Sequence, residues 1–150
     1  MYKIFLISIL AILTFGCSRK EVVESAYKNG NPRVVKYYHK KGAELMLDRE
    51  VVYYENKQKK IEGEYKDQLR TGLWKAWYEN GNLWSEGEFK DGKRNGKSNS
   101  YHENGKKYII GMYREDNRVG AWRFYDTIGA LVKEVDFGEV PGEMDRDSLN

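Results

Sequence analysis

Gly81-Asn82-Leu83-Trp84-Ser85-Glu86-Gly87-Glu88-Phe89-Lys90-Asp91-Gly92-Lys93-Arg94-Asn95-Gly96-Lys97-Ser98-Asn99-Ser100-Tyr101-His102-Glu103-Asn104 is the stretch that decides the fold. Its layout precedes it over 57–80 and follows it over 105–128, a period of 24 that needs no insertion. Glycine recurs at 63, 87 and 111, at 72, 96 and 120, and at 81, 105 and 129. Aromatics recur at Tyr65, Phe89 and Tyr113, and at Trp77, Tyr101 and Tyr125. Self-similarity at such a period is the signature of a stacked repeat.

Within the unit, Leu83 to Lys90 reads as a strand, Asp91 to Gly96 as turn material and Lys97 to His102 as the return strand. Glu103-Asn104-Gly105 turns the chain again. Asn-Gly and Asp-Gly supply the positive φ of hairpin turns. A glycine inside a strand, as at 63, 87 and 111, leaves room for a ring of a neighbouring unit to cross the backbone. Alternation puts Gly87 and Phe89 on one face, and Glu86, Glu88 and Lys90 on the other. Abundant tyrosine (12) and glycine (15) against 2 prolines favour strands and tight turns over helices. The expected fold is therefore all-β: a repetitive antiparallel β-hairpin meander forming a single elongated sheet with a thin aromatic core, after an N-terminal signal helix.

Further out the pattern weakens. A partial unit runs from Gly129 to Phe137. Upstream, Tyr27-Lys28-Asn29-Gly30 echoes Tyr78-Glu79-Asn80-Gly81, but Gly30 and Lys57 are 27 apart instead of 24. Atypical end units are usual in repeat arrays. The repeat domain is expected over 27–137, clearest over 57–128, with a disordered polar tail over 138–150.

The N-terminus has a different grammar. Lys3 precedes an apolar run from Ile4 to Phe15, followed by Gly16 and Cys17, the layout of an export signal. Twelve residues are too few for a spanning helix, which needs about 20. Leu13-Thr14-Phe15-Gly16-Cys17 resembles the bacterial lipobox, which implies a signal peptide over 1–16, acylation of Cys17 and a lipidated linker over 17–26. That resemblance implies a membrane partner reached through the anchor on Cys17 and a place in the bacterial cell envelope. Ser18 after the cysteine favours the outer membrane where there is one.

Without 1–16, which carry Lys3, 25 basic residues face 23 acids, a net charge of +2. Interleaved charge of this kind is a solvated surface, not the basic stripe that nucleic acid requires. The one cysteine excludes an intramolecular disulfide and a cysteine-based zinc site.

The repeat resembles the bacterial variant of the MORN repeat. Tyr78-Glu79-Asn80-Gly81, Gly87-Glu88-Phe89-Lys90-Asp91-Gly92, Asn95-Gly96 and Gly120-Ala121-Trp122 carry the likeness, over about 27–137. Lys57 replaces a turn glycine, Gln68 replaces the Gly92-type glycine, Asp48 stands near a turn-glycine position, and Ser98 interrupts the Trp74–Trp122 column. The resemblance implies an interaction module, with YwqK-type antitoxin or immunity proteins among its relatives.

No catalytic constellation emerges. His39 and His102 lie in different units, without cysteine or a repeated carboxylate beside them, so neither metal nor cofactor is expected. His102 shares the column of Tyr78 and Asp126 and reads as a surface strand residue. Glu62/Glu64 and Glu86/Glu88 read as solvated charge, since the third unit replaces them by Ile110 and Met112. Binding is the better prospect, with Trp74, Trp84, Tyr108, Ile110, Met112 and Trp122 as the candidate face. Of the two readings of these rings, core or binding site, the core is favoured, because a single-layer repeat has few other apolar residues to bury. The leading functional expectation is a non-enzymatic envelope lipoprotein that binds a protein partner. Toxin immunity and carbohydrate or cell-wall binding are the alternatives.

Overall fold

The computed structural model describes residues 19–139. Cys17, the signal segment and most of the expected tail lie outside the described residues. Ten strands form one open antiparallel sheet in chain order, each paired with the next. They are β1 (Lys20–Ala26), β2 (Pro32–Lys41), β3 (Glu44–Tyr53), β4 (Lys59–Lys66), β5 (Leu69–Trp77), β6 (Leu83–Lys90), β7 (Lys93–Tyr101), β8 (Lys107–Arg114), β9 (Asn117–Tyr125) and β10 (Leu131–Asp136). The hairpin meander read from the period is the observed architecture. β1 occupies much of the stretch expected as a linker: Val23 pairs with Val35, extending the sheet beyond the repeat.

Two kinds of turn alternate along the sheet. On one edge the strands join through two residues, Asp67-Gln68, Asp91-Gly92 and Glu115-Asp116, all at positive φ. These are the primed turns whose twist matches that of the strands. The turn expected over Asp91 to Gly96 is thus confined to Asp91-Gly92; Lys90 pairs with Lys93 and β7 starts four residues early. Gly96, at φ 121°, lies instead inside β7, where the Glu88 side chain crosses it.

On the other edge the loops have three residues, as in Glu79-Asn80-Gly81. Gly81 N donates to Tyr78 O and Tyr78 N to Asn82 O. The asparagine closes four of these loops, its Oδ1 accepting the backbone N–H two residues on (2.9 Å for Asn80 and Asn82), and in the last loop Asp126 Oδ1 accepts from Ile128 N. The asparagine also ties its loop to the next, since Asn80 Nδ2 donates to Glu103 Oε1 and Asn104 Nδ2 to the Thr127 carbonyl. Tyr54 Oη donates to the Trp77 carbonyl and Tyr78 Oη to the Tyr101 carbonyl, each at 2.8 Å. The Tyr-Glu-Asn-Gly motif therefore closes a loop and stacks it on its successor.

The 27-residue spacing of the first unit has a simple origin. β2 and β3 have ten residues each, against eight in β4 and nine in β5. Asp48 is not in a turn but is the extra residue where Tyr37 and Tyr38 face Arg49 and Leu47. The nearby turn uses Gly42, at φ 66°.

Directly paired residues point to the same side, so the register assigns both faces. One, the ring face, carries the row Ile61, Ala76, Ser85, Ser100, Ile109 and Phe124. Trp74 and Trp122 lie on it, 5% and 3% exposed, over Gly63 and Gly111. Each indole comes from the partner strand of its own hairpin, not from a neighbouring unit. Tyr65 and Phe89 approach Trp74 edge-on at 5.2 and 6.0 Å, and Tyr113 and Phe137 approach Trp122 at 4.9 and 6.2 Å. Burying an indole of roughly 200 Å² contributes about 5 kcal/mol at most. The other face carries the row Glu62, Lys75, Glu86, Asn99, Ile110, Arg123 and Glu134. At the N-terminal end this second face holds the buried Val35 and Val51.

Candidate functional site

The six residues of the sequence-derived binding face separate. Trp74 and Trp122 are core on the ring face. Trp84, Tyr108, Ile110 and Met112 share the opposite face by strand alternation. Trp84 is 49% exposed, Tyr108 43% and Met112 44%, while Ile110 is half-buried between Asn99 and Arg123. The structure therefore brings four of the six together.

Trp84 and Tyr108 are two strands apart, about 10 Å. Each leans on the aromatic residue that opens its loop: Trp84 on Tyr78 at 6.2 Å, Tyr108 on His102 at 4.6 Å. Burial holds the Tyr78 phenol above its ordinary pKa, with Glu103 adding to the shift. The proton that this keeps is the one donated to the Tyr101 carbonyl. The column continues at Val132, 67% exposed, which gives a stepped apolar edge along the three-residue loops.

His102 is a loop residue, not the expected strand residue. Its Nε2 lies 3.0 Å from the Tyr125 carbonyl. A carbonyl only accepts, so Nε2 carries the proton and the imidazole replaces the bridging hydroxyl of Tyr54 and Tyr78. The common column with Tyr78 was the signal for this. His39 does have a carboxylate beside it: Asp48 Oδ1 lies 2.5 Å from Nδ1, and Arg19 Nε lies 3.6 Å from the same carboxylate. The pair faces across the β2–β3 bulge, a long-range contact that spacing does not reveal.

Towards the C-terminal end the charged character of this face fades. Ile110, Met112, the buried Val119 and Ala121 border an open cleft of about 550 Å³, with Lys97, Asn99 and Asp136 at its rim. In the two preceding units the position of Ile110 holds an engaged glutamate, Glu62 or Glu86, while the position of Met112 holds the exposed, solvated Glu64 or Glu88. Glu62 pairs with Arg49 and with Lys59. Glu86 accepts from Asn99 Nδ2 at 3.2 Å and Tyr101 Oη at 3.0 Å. Desolvation, then that hydrogen bond to Glu86, raise the Tyr101 pKa. Among the described residues no group of histidine, cysteine and carboxylate side chains has the arrangement of a metal site. No helix there is long and apolar enough to cross a membrane.

An arginine ladder on the ring face escaped the sequence reading although it keeps the same period. Arg70 lies 4.1 Å over Trp74, Arg94 5.0 Å over Tyr113 and Arg118 4.6 Å over Trp122. These are cation–π contacts, made to two buried indoles and to the half-buried Tyr113 ring.

Searches of curated proteins and of solved structures find no match. A family comparison does: residues 49–67, 70–91 and 94–115 match the MORN repeat variant family. The three segments coincide with the strand pairs β3–β4, β5–β6 and β7–β8, joined through the tyrosine- or histidine-led loops. Over these segments the chain is a tandem array of repeats similar to the MORN repeat variant.

Proposed function

We propose that this chain is a non-enzymatic envelope lipoprotein, anchored through Cys17, that binds a protein partner with the face bearing Trp84, Tyr108, Ile110 and Met112. One observation carries the reading. The ring face already buries the rings that hold the sheet together, yet a second set of large apolar side chains stands exposed on the other side. Contiguous exposed apolar groups with a polar rim are what a protein interface needs. The replacement of paired glutamates by Ile110 and Met112 confines the patch to the third unit and its neighbours.

Affinity capture tests this. The full chain and a Trp84→Ala/Tyr108→Ala variant, each in detergent, are exposed to solubilised envelope of the source organism, and retained proteins are identified by mass spectrometry. A stoichiometric protein held by the parent and lost by the variant supports the reading. A partner carrying a toxin domain would move the function to immunity. Retention of nothing beyond an unrelated bead control removes the protein-interaction reading.

A further inference from the structure

The middle unit is missing one part of its own repeat. Trp74 and Trp122 occupy equivalent sites with equivalent surroundings: a strand glycine beneath (Gly63, Gly111), two aromatic edges, an arginine above, and a carbonyl accepting the indole N–H. That carbonyl belongs to Glu64 in one case and Met112 in the other, each at 3.2 Å. Shifting the set by 24 residues places Gly87, Phe89, Tyr113, Arg94 and the Glu88 carbonyl around residue 98. All are present, and the ring alone is replaced, by Ser98.

The site is correspondingly open. A Cβ on Gly87 would meet nothing closer than Ser98 Oγ at 3.8 Å, whereas one on Gly63 or Gly111 would overlap an indole. A cleft of about 370 Å³ lies there, between Trp74 and Phe89 on one side and Arg94 and Tyr113 on the other. Ser85, Ser98 and Ser100 floor it, where the flanking units place isoleucine, tryptophan, and alanine or phenylalanine. Arg94 Nη1 donates to Tyr113 Oη at 3.0 Å, which holds its guanidinium at the mouth.

We propose that this cleft receives a tryptophan side chain supplied by a partner polypeptide, completing the column that Trp74 and Trp122 begin and end. The chemistry is set by the cradle: a flat ring met edge-on by Phe89 and Tyr113, a π face for Arg94, and an N–H donor for the Glu88 carbonyl. All four tryptophans of the chain, Trp74, Trp77, Trp84 and Trp122, are already placed in strands, so the ring comes from another molecule. The inference shares with the proposed function only the existence of a protein partner; it concerns the opposite face and is tested without that partner.

The probe is N-acetyl-tryptophanamide, with N-acetyl-leucinamide and glucose as comparisons, titrated into the full chain in detergent and followed by saturation-transfer NMR. Saturable binding of the tryptophan probe alone is expected, with a dissociation constant on the order of 0.1–1 mM. Ser98→Trp fills the cleft from within; it should melt several degrees higher and lose the probe. Gly87→Val obstructs the floor from the facing strand and should also lose it, which keeps the test valid if Ser98→Trp does not fold. No binding of the tryptophan probe, equal binding of the leucine probe, binding of glucose instead, or unchanged binding to a folded filled variant overturns the proposal. Any of these results leaves the reading of the opposite face untouched.

Discussion

The indole of Trp74 lies so close over the α-carbon of Gly63 that a methyl group at residue 63 would overlap the ring. Trp122 stands in the same relation to Gly111, while at Gly87 the nearest atoms are Ser98 Oγ and the Lys97 carbonyl, at ordinary contact distance. Three glycines of one repeat column therefore carry unequal constraints. Gly63→Ala and Gly111→Ala should each destabilise by about 1–3 kcal/mol, the usual cost of overpacking. Gly87→Ala should change stability by less than about 0.5 kcal/mol. Urea unfolding of the three variants checks the contrast, and an equal loss at all three positions would contradict it.

Lys57 and Gln68 depart from the repeat where the backbone asks for glycine, at φ 69° and 64°. The left-handed conformation costs a side-chain-bearing residue roughly 1–2 kcal/mol, and glycine gives back about half of that through its freer unfolded chain. Lys57→Gly and Gln68→Gly should thus each stabilise by about 0.5–1 kcal/mol, read as a rise in the urea midpoint at unchanged slope.

Tyr54 and Tyr78 donate across the loop edge, and burial raises both pKa values above the ordinary tyrosine value of 10.0. For a group whose folded pKa is raised, the stabilisation is complete below the unfolded value. It declines as pH rises from about 10 through the folded value. Stability should therefore fall in that alkaline window, and ultraviolet titration should show tyrosines ionising later than in the unfolded chain. Tyr78→Phe should cost about 1 kcal/mol near neutral pH and make the alkaline loss shallower.

Much of the fold was legible because the period of 24 fixes strand, turn and core positions together. Gly63 and Trp74 share a hairpin, so a close approach between them is written within eleven residues of text. What stayed hidden depends on register between strands. Gly96 looked like turn material but sits in a strand, because Asp91 and Gly92 already close the hairpin. The His39–Asp48 pair rests on a bulge that no spacing rule announces. The candidate site was half legible: the scarcity of other apolar residues already favoured Trp74 and Trp122 as core, but only the register puts them on the face opposite Trp84, Tyr108, Ile110 and Met112. The arginines at 70, 94 and 118 had the period in plain view, yet their meaning lies in rings reached from adjacent strands.

The proposed contact between a protein partner and the face bearing Ile110 and Met112 is tested most directly at those two residues. The units over 57–80 and 81–104 already carry glutamate at these positions, as Glu62/Glu64 and Glu86/Glu88, so Ile110→Glu/Met112→Glu introduces what the sheet accommodates elsewhere, with Arg123 paired opposite residue 110. The measurement is calorimetric titration of the captured partner into the parent chain and into this double variant. The account predicts a variant that melts within a few degrees of the parent and binds at least tenfold more weakly. A folded variant that binds with parental affinity would contradict it.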